Sequence, residues 1–347
     1  MIPAAMPPRA RQRRDIGTPI DRNLALELVR VTEGAAIAAS RFMGRDLLDD
    51  AEQAAVDAMR RSLSYVDMDG VVVIGEGEKD DNPMLYSGET VGNGNPPMVD
   101  VAVDPIDSAR LVAGGLPGAL STVALAERGS LFHTHCYYME KLIVGPRARK
   151  VIDITDTVAA NLKRVARAEG RDVEDLTVVV LNRPRHQRLL REIRAAGARV
   201  KLIPDGDISA GLWAAMEQRT GIDVLWGIGG APEGVLAACA VKAVGGGMQA
   251  RLAPRDEGER AVMRAEGKDT AVLTLDDLCG GENVFFAATG VTEGQLLQGV
   301  RIAGRGLVST NSVVMRSYSG TVRYIEATHD IARLQARAPI APAGGGL

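Results

Sequence analysis

The sequence predicts a protein of the α/β class, and three observations support this prediction. From residue 151 onward, segments with helical periodicity alternate with β-branched apolar runs. Further upstream, shorter apolar runs end abruptly at acidic turns. The 347 residues are 46% hydrophobic and 24% charged, which supplies enough apolar material for a large core. The alternation implies a mainly parallel sheet covered by helices, with functional loops at the carboxyl ends of its strands.

Composition and charge exclude several classes of function. The formal net charge is -3 and aromatic residues make up 3% of the chain, which disfavours a nucleic-acid partner. The longest uncharged stretch, residues 111–126, is too short to span a bilayer, so no membrane partner is expected. Three widely spaced cysteines, Cys136, Cys239 and Cys279, are typical of reduced core thiols. A cytoplasmic protein is therefore expected.

Two helices are predicted in the first part of the chain. Residues 1–18 are expected to form a basic, disordered arm, and the first helix begins near Asp21. A second helix follows the sequence GRDLLDD, with Asp49 or Asp50 as N-cap. It places Glu52 on its apolar face, where a carboxylate requires a cation. The apolar face of the first helix is formed by Leu24, Leu28, Val31, Ala35 and Phe42.

Strands are predicted from β-rich runs that follow the two helices. Residues 71–74 form a β-branched run that stops at Gly75, and the sequence MVDVAVDPID supplies another strand. The sequences LSTVALAERGSLF and EKLIVGP suggest a hairpin-rich sheet. Three helices around 157–170, 186–197 and 208–218 then precede the strand sequences LTVVVLN, RVKLIPDGD and IDVLWGIGGAPEG, respectively.

Acidic residues stand at the ends of these predicted elements in four segments. Carboxylates crowd a low-dielectric site only with a compensating cation, and ligation by oxygen alone suits Mg²⁺ or Mn²⁺. Two such ions can hold the attacking and leaving oxygens of a phosphoryl transfer. Any single segment is also typical of a solvated turn, so the prediction depends on their convergence. The acidic residues are Glu52, Glu76, Glu78, Asp104, Asp107 and Glu233.

The sequence also offers groups that suit a phosphate. The residues after Asp107 are expected to open a helix or turn whose N–H groups face an anion. Arg183 and Arg185 in the sequence NRPRH follow a strand and match phosphate bidentately, although the pattern is equally typical of a solvent-exposed helix start. The glycines of GIGGAPEG allow backbone to approach a ligand closely.

These segments resemble the class II, GlpX-type fructose-1,6-bisphosphatases, within the fold of the lithium-sensitive sugar and inositol phosphatases. The resemblance runs from about Arg22 to His329 through RNLALELVRVTE, VVVIGEGEKDDNPMLYSGE, DVAVDPID, YYMEKLIVGP, RPRH, PDGD, GIGGAPEG and ATGVTEG, in that order. It implies a layered α/β/α/β/α sandwich. It also implies a metal-dependent, cytoplasmic, gluconeogenic hydrolase that releases the 1-phosphate of fructose 1,6-bisphosphate and forms a homodimer or homotetramer.

The resemblance carries specific roles onto residues of this chain. The family's ligands for two or more Mn²⁺ or Mg²⁺ ions fall on Glu52, Glu76, Asp104, Asp107 and Glu233. Asp80 lies where the family places an acid that orients the nucleophilic water, and Asp80 or Glu78 is expected to act as the base. Contacts with the sugar phosphate fall on Asp107, Ser108, Ala109, Tyr138, Arg183, Pro184, Arg185, Asp205, Gly206, Asp207 and Gly230.

The chain departs from the family pattern at four of these or neighbouring positions. The family continues DPID with Gly-Thr, where this chain has Ser108 and Ala109. The family's threonine hydroxyl positions the attacking water, so Ala109 removes that element, and the Ser108 hydroxyl is expected to point elsewhere. Leu48 replaces a family lysine, and Glu52 replaces an aspartate. Reduced or altered activity is therefore expected.

The same resemblance assigns the parts of the chain and leaves alternatives open. Residues 19–150 are expected to form a metal-binding α/β part, and residues 151–332 a sugar-phosphate-binding α/β part. Residues 333–347 are predicted to be a disordered tail. The alternatives are an enzyme for another sugar phosphate, such as sedoheptulose 1,7-bisphosphate, and a catalytically silent protein that binds sugar phosphates.

Overall fold

A computed structural model describes residues 24–337 except 76, 80–81, 266, 269–270 and 305, and it gives only the backbone of 77–79, 82–84 and 335–337. The predicted basic arm, residues 1–18, lies outside the described residues, as do Glu76 and Asp80. Within the predicted tail, residues 333–337 are helical and the remainder is not described.

The described chain alternates helices and strands along its length. The helices are α1 (Leu24–Ser40), α2 (Leu48–Leu63), α3 (Ala109–Ala113), α4 (Val158–Glu169), α5 (Gln187–Ala195), α6 (Asp207–Ala215), α7 (Glu217–Thr220), α8 (Ala231–Val244), α9 (Glu257–Ala265), α10 (Leu275–Leu278) and α11 (Ile331–Arg337), with 3₁₀ turns at Val173–Asp175 and Pro184–His186. The strands are β1 (Asp69–Ile74), β2 (Gly77–Lys79), β3 (Asn82–Met84), β4 (Thr90–Val91), β5 (Met98–Asp107), β6 (Leu120–Glu127), β7 (Tyr138–Val144), β8 (Thr177–Leu181), β9 (Arg199–Ile203), β10 (Val224–Gly230), β11 (Gly247–Leu252), β12 (Leu273–Thr274), β13 (Phe285–Gly290), β14 (Arg301–Ile302), β15 (Leu307–Arg316) and β16 (Thr321–Asp330).

The first sheet combines strands from both ends of the described chain. Its order is β14-β15-β13-β6-β5-β1-β4, and β16 also pairs with β15. Strands β1 and β5 are parallel, and the other pairings in this sheet are antiparallel. The C-terminal strands β13 to β16 therefore complete a sheet that the N-terminal half begins.

The second sheet has six strands in the order β12-β11-β7-β10-β8-β9. Strand β8 is parallel to β9 and to β10, as the helix–strand alternation predicts. Strand β7 is antiparallel to β10 and β11, and β11 is antiparallel to β12. The prediction of a mainly parallel sheet is thus confirmed for three neighbouring strands and wrong for the other three.

Strands β6 and β7 lie in different sheets, so the two sequences that suggested a hairpin-rich sheet do not pair with each other. Strand β6 lies between β5 and β13 in the first sheet, whereas β7 lies between β10 and β11 in the second. The boundary predicted at residue 150 therefore does not separate the two sheets.

Three hydrophobic clusters organise these elements into five layers. One cluster packs α1 and α2 against the first sheet, a second packs α6 and α8 between the two sheets, and a third packs α4 and α5 against the second sheet. Side chains of a buried strand alternate between its two faces, and Val178 and Val179 of β8 accordingly enter the third and second clusters, respectively. The predicted α/β/α/β/α architecture is confirmed.

Helix α1 buries its predicted apolar face through Leu24, Leu28, Val31 and Ala35, while Phe42 follows the helix in a turn. The N-cap of α2 is Leu47, so the prediction of Asp49 or Asp50 is wrong. Both aspartates lie in the first turn instead, where the helix dipole favours negative charge.

The three cysteines are buried and form no disulfide bond within the described part of the chain, as expected for core thiols. Among the described helices, none combines the length and apolarity that crossing a membrane requires.

Candidate active site

A polar cavity of about 450 Å³ lies where the two sheets present their functional loops. It brings together most of the predicted site residues; Pro184 and Gly206 are not among its lining residues. Glu78 lies in β2, and its side chain is not described. The predicted residues that line the cavity are Glu52, Asp104, Asp107, Ser108, Ala109, Tyr138, Arg183, Arg185, Asp205, Asp207, Gly230 and Glu233.

Two walls face each other across this cavity. The first-sheet wall comprises Leu48, Glu52, Asp104, Asp107, Ser108 and Ala109, carried by β5, α2 and α3. The second-sheet wall comprises Tyr138, Arg183, Arg185, Asp205 and Asp207, carried by β7 and by the segments that follow β8 and β9. Glu233, on α8, lies between the two walls.

An irregularity in β5 places two aspartates in the same cavity. Side chains three residues apart in a regular strand point to opposite faces. Asp104 pairs with Thr122, however, and Asp107 pairs with Leu120, so the β5 segment contains one more residue than its partner. This bulge resets the alternation, and both Asp104 and Asp107 line the cavity.

The residues after this bulge form a strained helix start. Ser108 has φ 76° and ψ 65°, a left-handed conformation that favours glycine, and α3 begins at Ala109. Ser108 lines the cavity, and its hydroxyl lies 3.4 Å from Asp107 Oδ1. Ala109 also lines the cavity and has no polar side-chain atom to offer. Gly206, the N-cap of α6, has nearly the same conformation, with φ 87° and ψ 64°.

Asp107 is buried beneath the cavity with 3% of its surface exposed. The backbone N–H of Ser209, in the first turn of α6, donates to its Oδ2 at 3.2 Å. Burial, and next the nearby Asp207 carboxylate, raise the pKa of Asp107 well above its usual range. A buried carboxylate with a raised pKa is prepared to accept a cation in place of a proton.

The second-sheet wall is formed where β8, β9 and β10 end at one edge and the antiparallel β7 begins. Arg183 contacts Asp205 at 3.1 Å. Arg185 donates to the Ile228 carbonyl at 2.8 Å, and its guanidinium carbon lies 4.8 Å from the ring centroid of Tyr138. These contacts hold both arginines at the rim of an anionic cavity, where further donor groups remain for a phosphate.

His186 anchors this arginine segment from below. Its Nδ1 lies 2.7 Å from the Leu181 carbonyl, and its Nε2 accepts the Ile228 N–H at 2.8 Å. An acceptor at one ring nitrogen and a carbonyl at the other fit the neutral imidazole. Consistently, burial lowers the pKa of His186.

Lys141 is a site residue that the sequence prediction missed. It lies in β7 and is 2% exposed; its ammonium contacts Asp207 Oδ2 and donates to the Gly230 carbonyl at 2.7 Å. The signal was a single lysine within the apolar strand sequence EKLIVGP, because a buried lysine almost always has an anionic partner.

Glu233 lies in the first turn of α8, next to the N-cap Gly230. Its Oε2 is buried and has no hydrogen-bond partner among the described residues. Burial, followed by the charge of Asp207, raises the pKa of Glu233 to about 7. Gly230 makes room for this carboxylate, because a Cβ at residue 230 would overlap Glu233 Oε2.

The donor chemistry of the cavity fits a hard divalent cation. All its candidate ligands are carboxylate oxygens, and Glu233 leaves a buried oxygen without a partner in the described part of the chain. Within the described residues, no three acidic, histidine or cysteine side chains are grouped closely enough to hold one ion. Glu76, another predicted ligand, lies outside those residues.

The five layers and the acidic, arginine-rimmed cavity define an α/β sandwich phosphatase. The profile of the family described as bacterial fructose-1,6-bisphosphatase, glpX-encoded, matches residues 22–329. The chain is 43% identical over 326 residues to fructose-1,6-bisphosphatase 1 class 2 of Escherichia coli K12, covering 90% of this chain and 96% of that protein. It has the same identity and coverage with the class 2 enzymes of Escherichia coli O6:H1 and Shigella flexneri.

The chain therefore belongs to the glpX-encoded family of bacterial fructose-1,6-bisphosphatases. Membership implies dependence on a divalent metal ion in general.

Proposed function

We propose that this protein is a metal-dependent phosphatase that hydrolyses the 1-phosphate of fructose 1,6-bisphosphate, giving fructose 6-phosphate and phosphate. One observation carries the proposal: a single cavity combines the buried carboxylates of Asp107 and Glu233 with the guanidinium groups of Arg183 and Arg185. This combination suits a bisphosphate held by arginines at one end and by cation-bound acids at the other. Family membership supports the same substrate.

Mn²⁺ or Mg²⁺ would be held by Glu52, Glu76, Asp104, Asp107 and Glu233. When bound, such ions stabilise the charge of the transferring phosphoryl group and lower the pKa of water. The Ser209 N–H orients the Asp107 carboxylate through a hydrogen bond. Gly230 has no side chain, and the Glu233 carboxylate occupies the space that a Cβ at residue 230 would fill. The ligands are thereby positioned before the substrate arrives.

The second-sheet wall would recognise the sugar and the phosphate that is not cleaved. Arg183 and Arg185 would bind that phosphate, with Tyr138 supporting Arg185 by stacking. The carboxylates of Asp205 and Asp207 would accept hydrogen bonds from sugar hydroxyls, with Gly206 and Gly230 allowing close approach of backbone. Pro184 would serve by starting the 3₁₀ turn that follows Arg183.

Asp80 or Glu78 would act as the base toward the attacking water. Ala109 offers no hydroxyl to position that water, and Ser108 directs its own hydroxyl toward Asp107. A positioned proton acceptor contributes about 10²–10⁴-fold in rate. We therefore expect a kcat below that of a chain with Gly-Thr at these two positions.

The test is phosphate release from a panel of phosphorylated sugars with Mn²⁺, Mg²⁺ or a chelator. We expect release from fructose 1,6-bisphosphate with metal and none with the chelator. Release only from another sugar, such as sedoheptulose 1,7-bisphosphate, would assign the enzyme to that substrate. Metal-dependent binding of fructose 1,6-bisphosphate without release would indicate a silent binding protein.

The double variant Ser108→Gly/Ala109→Thr restores the Gly-Thr pair of the family and tests the effect of Ser108 and Ala109 on the rate. The matched control is Ser108→Gly/Ala109→Val, which has the same shape without the hydroxyl. We expect the threonine variant to raise kcat by about tenfold or more over the valine control, because only it can position water. Equal kcat values would exclude this role for residue 109.

The resemblance further supports a cytoplasmic, gluconeogenic enzyme that forms a homodimer or homotetramer. Light scattering of the purified chain, at concentrations that bracket its cellular level, would test the assembly. A monomer throughout would contradict this part of the proposal.

A further inference from the structure

A buried ammonium group lies behind the second-sheet wall. Lys141 enters from β7, and its side chain is 2% exposed. Its two described partners are the Asp207 carboxylate and the Gly230 carbonyl. The lysine therefore joins a cavity-lining carboxylate to the turn that begins α8.

The backbone around Lys141 leaves room for this arrangement. A Cβ at Gly229 would overlap Asp207 Oδ2 and lie 3.1 Å from Lys141 Nζ. A Cβ at Gly234 would lie 2.7 Å from Met139 Sδ and 3.4 Å from Lys141 Cδ. Two glycines thus accommodate the head group and the stem of one lysine.

Four carboxylates of the cavity differ in their cationic partners. Asp205 is paired with Arg183, and Asp207 is paired with Lys141. In the described part of the chain, Asp107 and Glu233 have no cationic side chain within salt-bridge distance. The charges of Asp107 and Glu233 are thus not neutralised by an ion pair with a described lysine or arginine.

We propose that Lys141 is a positioning residue that withholds Asp207 from the divalent-cation site and fixes its carboxylate for the sugar. The inference rests on the proposed function, since it assigns Asp207 to the sugar. Oδ2 of Asp207 contacts the ammonium, so the lysine–aspartate pair has no net charge, and Oδ1 remains to accept a hydrogen bond from a sugar hydroxyl. A divalent ion would then be held by the ligands proposed above, Asp107 and Glu233 among them, and Asp207 would not be a further ligand.

The inference predicts a cycle of opposite effects on Mn²⁺ affinity, measured by calorimetry without substrate. Lys141→Met exposes the negative charge of Asp207 and should tighten Mn²⁺ binding by about tenfold. Asp207→Asn leaves the ammonium unpaired beside the site and should weaken binding by about tenfold. The double variant Lys141→Met/Asp207→Asn is as neutral as the wild-type pair and should return to within about threefold of wild type.

A merely structural role would not give this pattern, because structural damage weakens binding in every variant. Weakened or unchanged Mn²⁺ binding in Lys141→Met would overturn the inference. If that variant does not fold, the comparison of Asp207→Asn with the double variant decides: equal affinities would overturn it.

The matched control is Lys242→Met on α8. Lys242 also contacts one aspartate and one carbonyl, Asp276 at 2.7 Å and Cys279 at 2.7 Å, but away from the cavity. The Lys242→Met variant should have the Mn²⁺ affinity of the wild type. This result would show that loss of a lysine–aspartate pair does not by itself tighten metal binding.

Kinetics provide the second readout. With fructose 1,6-bisphosphate and saturating Mn²⁺, Lys141→Met should raise KM by about tenfold and change kcat by less than about threefold, because the sugar contact is disturbed but the reacting phosphate is not. A fall in kcat at unchanged KM would contradict the assignment of Asp207 to the sugar. If the wild-type protein releases no phosphate from this sugar, the proposed function fails, and the Mn²⁺ cycle still decides the role of Lys141.

Discussion

Acidic residues on the two walls of the cavity have different kinds of partner. On the second-sheet wall, Asp205 and Asp207 each have a cationic partner, in Arg183 and Lys141. On the first-sheet wall, Asp107 accepts hydrogen bonds from the Ser209 N–H and, at longer distance, from the Ser108 hydroxyl. Neutralised acids bind neutral hydroxyls without attracting metal, whereas a buried acid that lacks a cation attracts one.

The two walls also differ in how closely their residues follow the family pattern. The departures at Leu48, Glu52, Ser108 and Ala109 all lie on the first-sheet wall. The arginines, Tyr138 and the PDGD segment of the second-sheet wall follow the pattern. We therefore expect these substitutions to alter the rate of the reaction more than recognition of the sugar phosphate.

The largest expected effect comes from Asp107→Asn. Loss of this charge should reduce Mn²⁺-dependent phosphate release by about 10³-fold or more, because a buried carboxylate proposed as a ligand of the cation is removed. The free energy of unfolding of the metal-free protein should not decrease, because a neutral amide needs no counter-charge. Both are measurable, by a phosphate assay and by urea denaturation with a chelator.

Asp100→Asn on the same strand is the matched control. Asp100 is also buried, but it accepts the Leu131 N–H at 3.1 Å and lies 3.7 Å from Arg128. This variant should keep its activity and lose about 1–3 kcal/mol of stability. If Asp107→Asn proved the more destabilising of the two, the contrast between satisfied and unsatisfied acids would be broken.

A smaller effect is expected from pH. Burial and Asp207 raise the pKa of Glu233 from 4.5 to about 7 in the metal-free protein. The folded state then holds this proton more tightly than the unfolded state, so the stability it contributes is complete below pH 4.5 and is lost as pH rises through about 7. The loss is on the order of 3 kcal/mol, and a divalent cation should reverse it by replacing the proton.

Melting temperatures with Mn²⁺ or chelator therefore test the pH effect. The gain in Tm on adding Mn²⁺ should be clearly larger near pH 8 than near pH 5.5, and Glu233→Gln should remove much of the difference. An equal gain at both pH values would show that proton and metal do not compete at this carboxylate.

The smallest effect concerns the two helix starts that face the cavity. Ser108 and Gly206 adopt nearly the same left-handed conformation, but only Ser108 carries a side chain. Ser108→Gly should raise the free energy of unfolding by about 1 kcal/mol, and Gly206→Ser should lower it by about as much. Ser108→Ala, which keeps the Cβ, should give no gain in urea denaturation; a gain equal to that of glycine would attribute the effect to the hydroxyl instead.

Local chemistry made part of this molecule predictable from the sequence. The alternation after residue 151 predicted β8, β9, β10 and the helices between them, because hydrophobic periodicity is a local signal. The assignment of β6 and β7 to separate sheets was not predictable, because strand pairing depends on contacts distant in sequence. The cap of α2 was misplaced because Asp49 and Asp50 suit both an N-cap and a first turn.

The candidate site, too, could be predicted only in part from the sequence. Spacing identified Asp104 and Asp107 as a pair, but only the pairing with β6 reveals the extra residue that brings them together. The sequence did not identify Lys141 as a site residue, because its partner Asp207 lies 66 residues away and approaches it only in the folded protein. A charge pair between elements distant in the sequence leaves one visible sign, which is a charged residue inside an apolar run.

The room at Gly229 has a consequence for how this cavity arose. Any larger residue at 229 would displace the Asp207 carboxylate from its present position beside the ammonium of Lys141. In an evolving lineage, the glycine therefore has to appear before, or together with, the lysine–aspartate pair. Ancestral chains reconstructed along such a lineage should therefore include none that have the lysine–aspartate pair without the glycine.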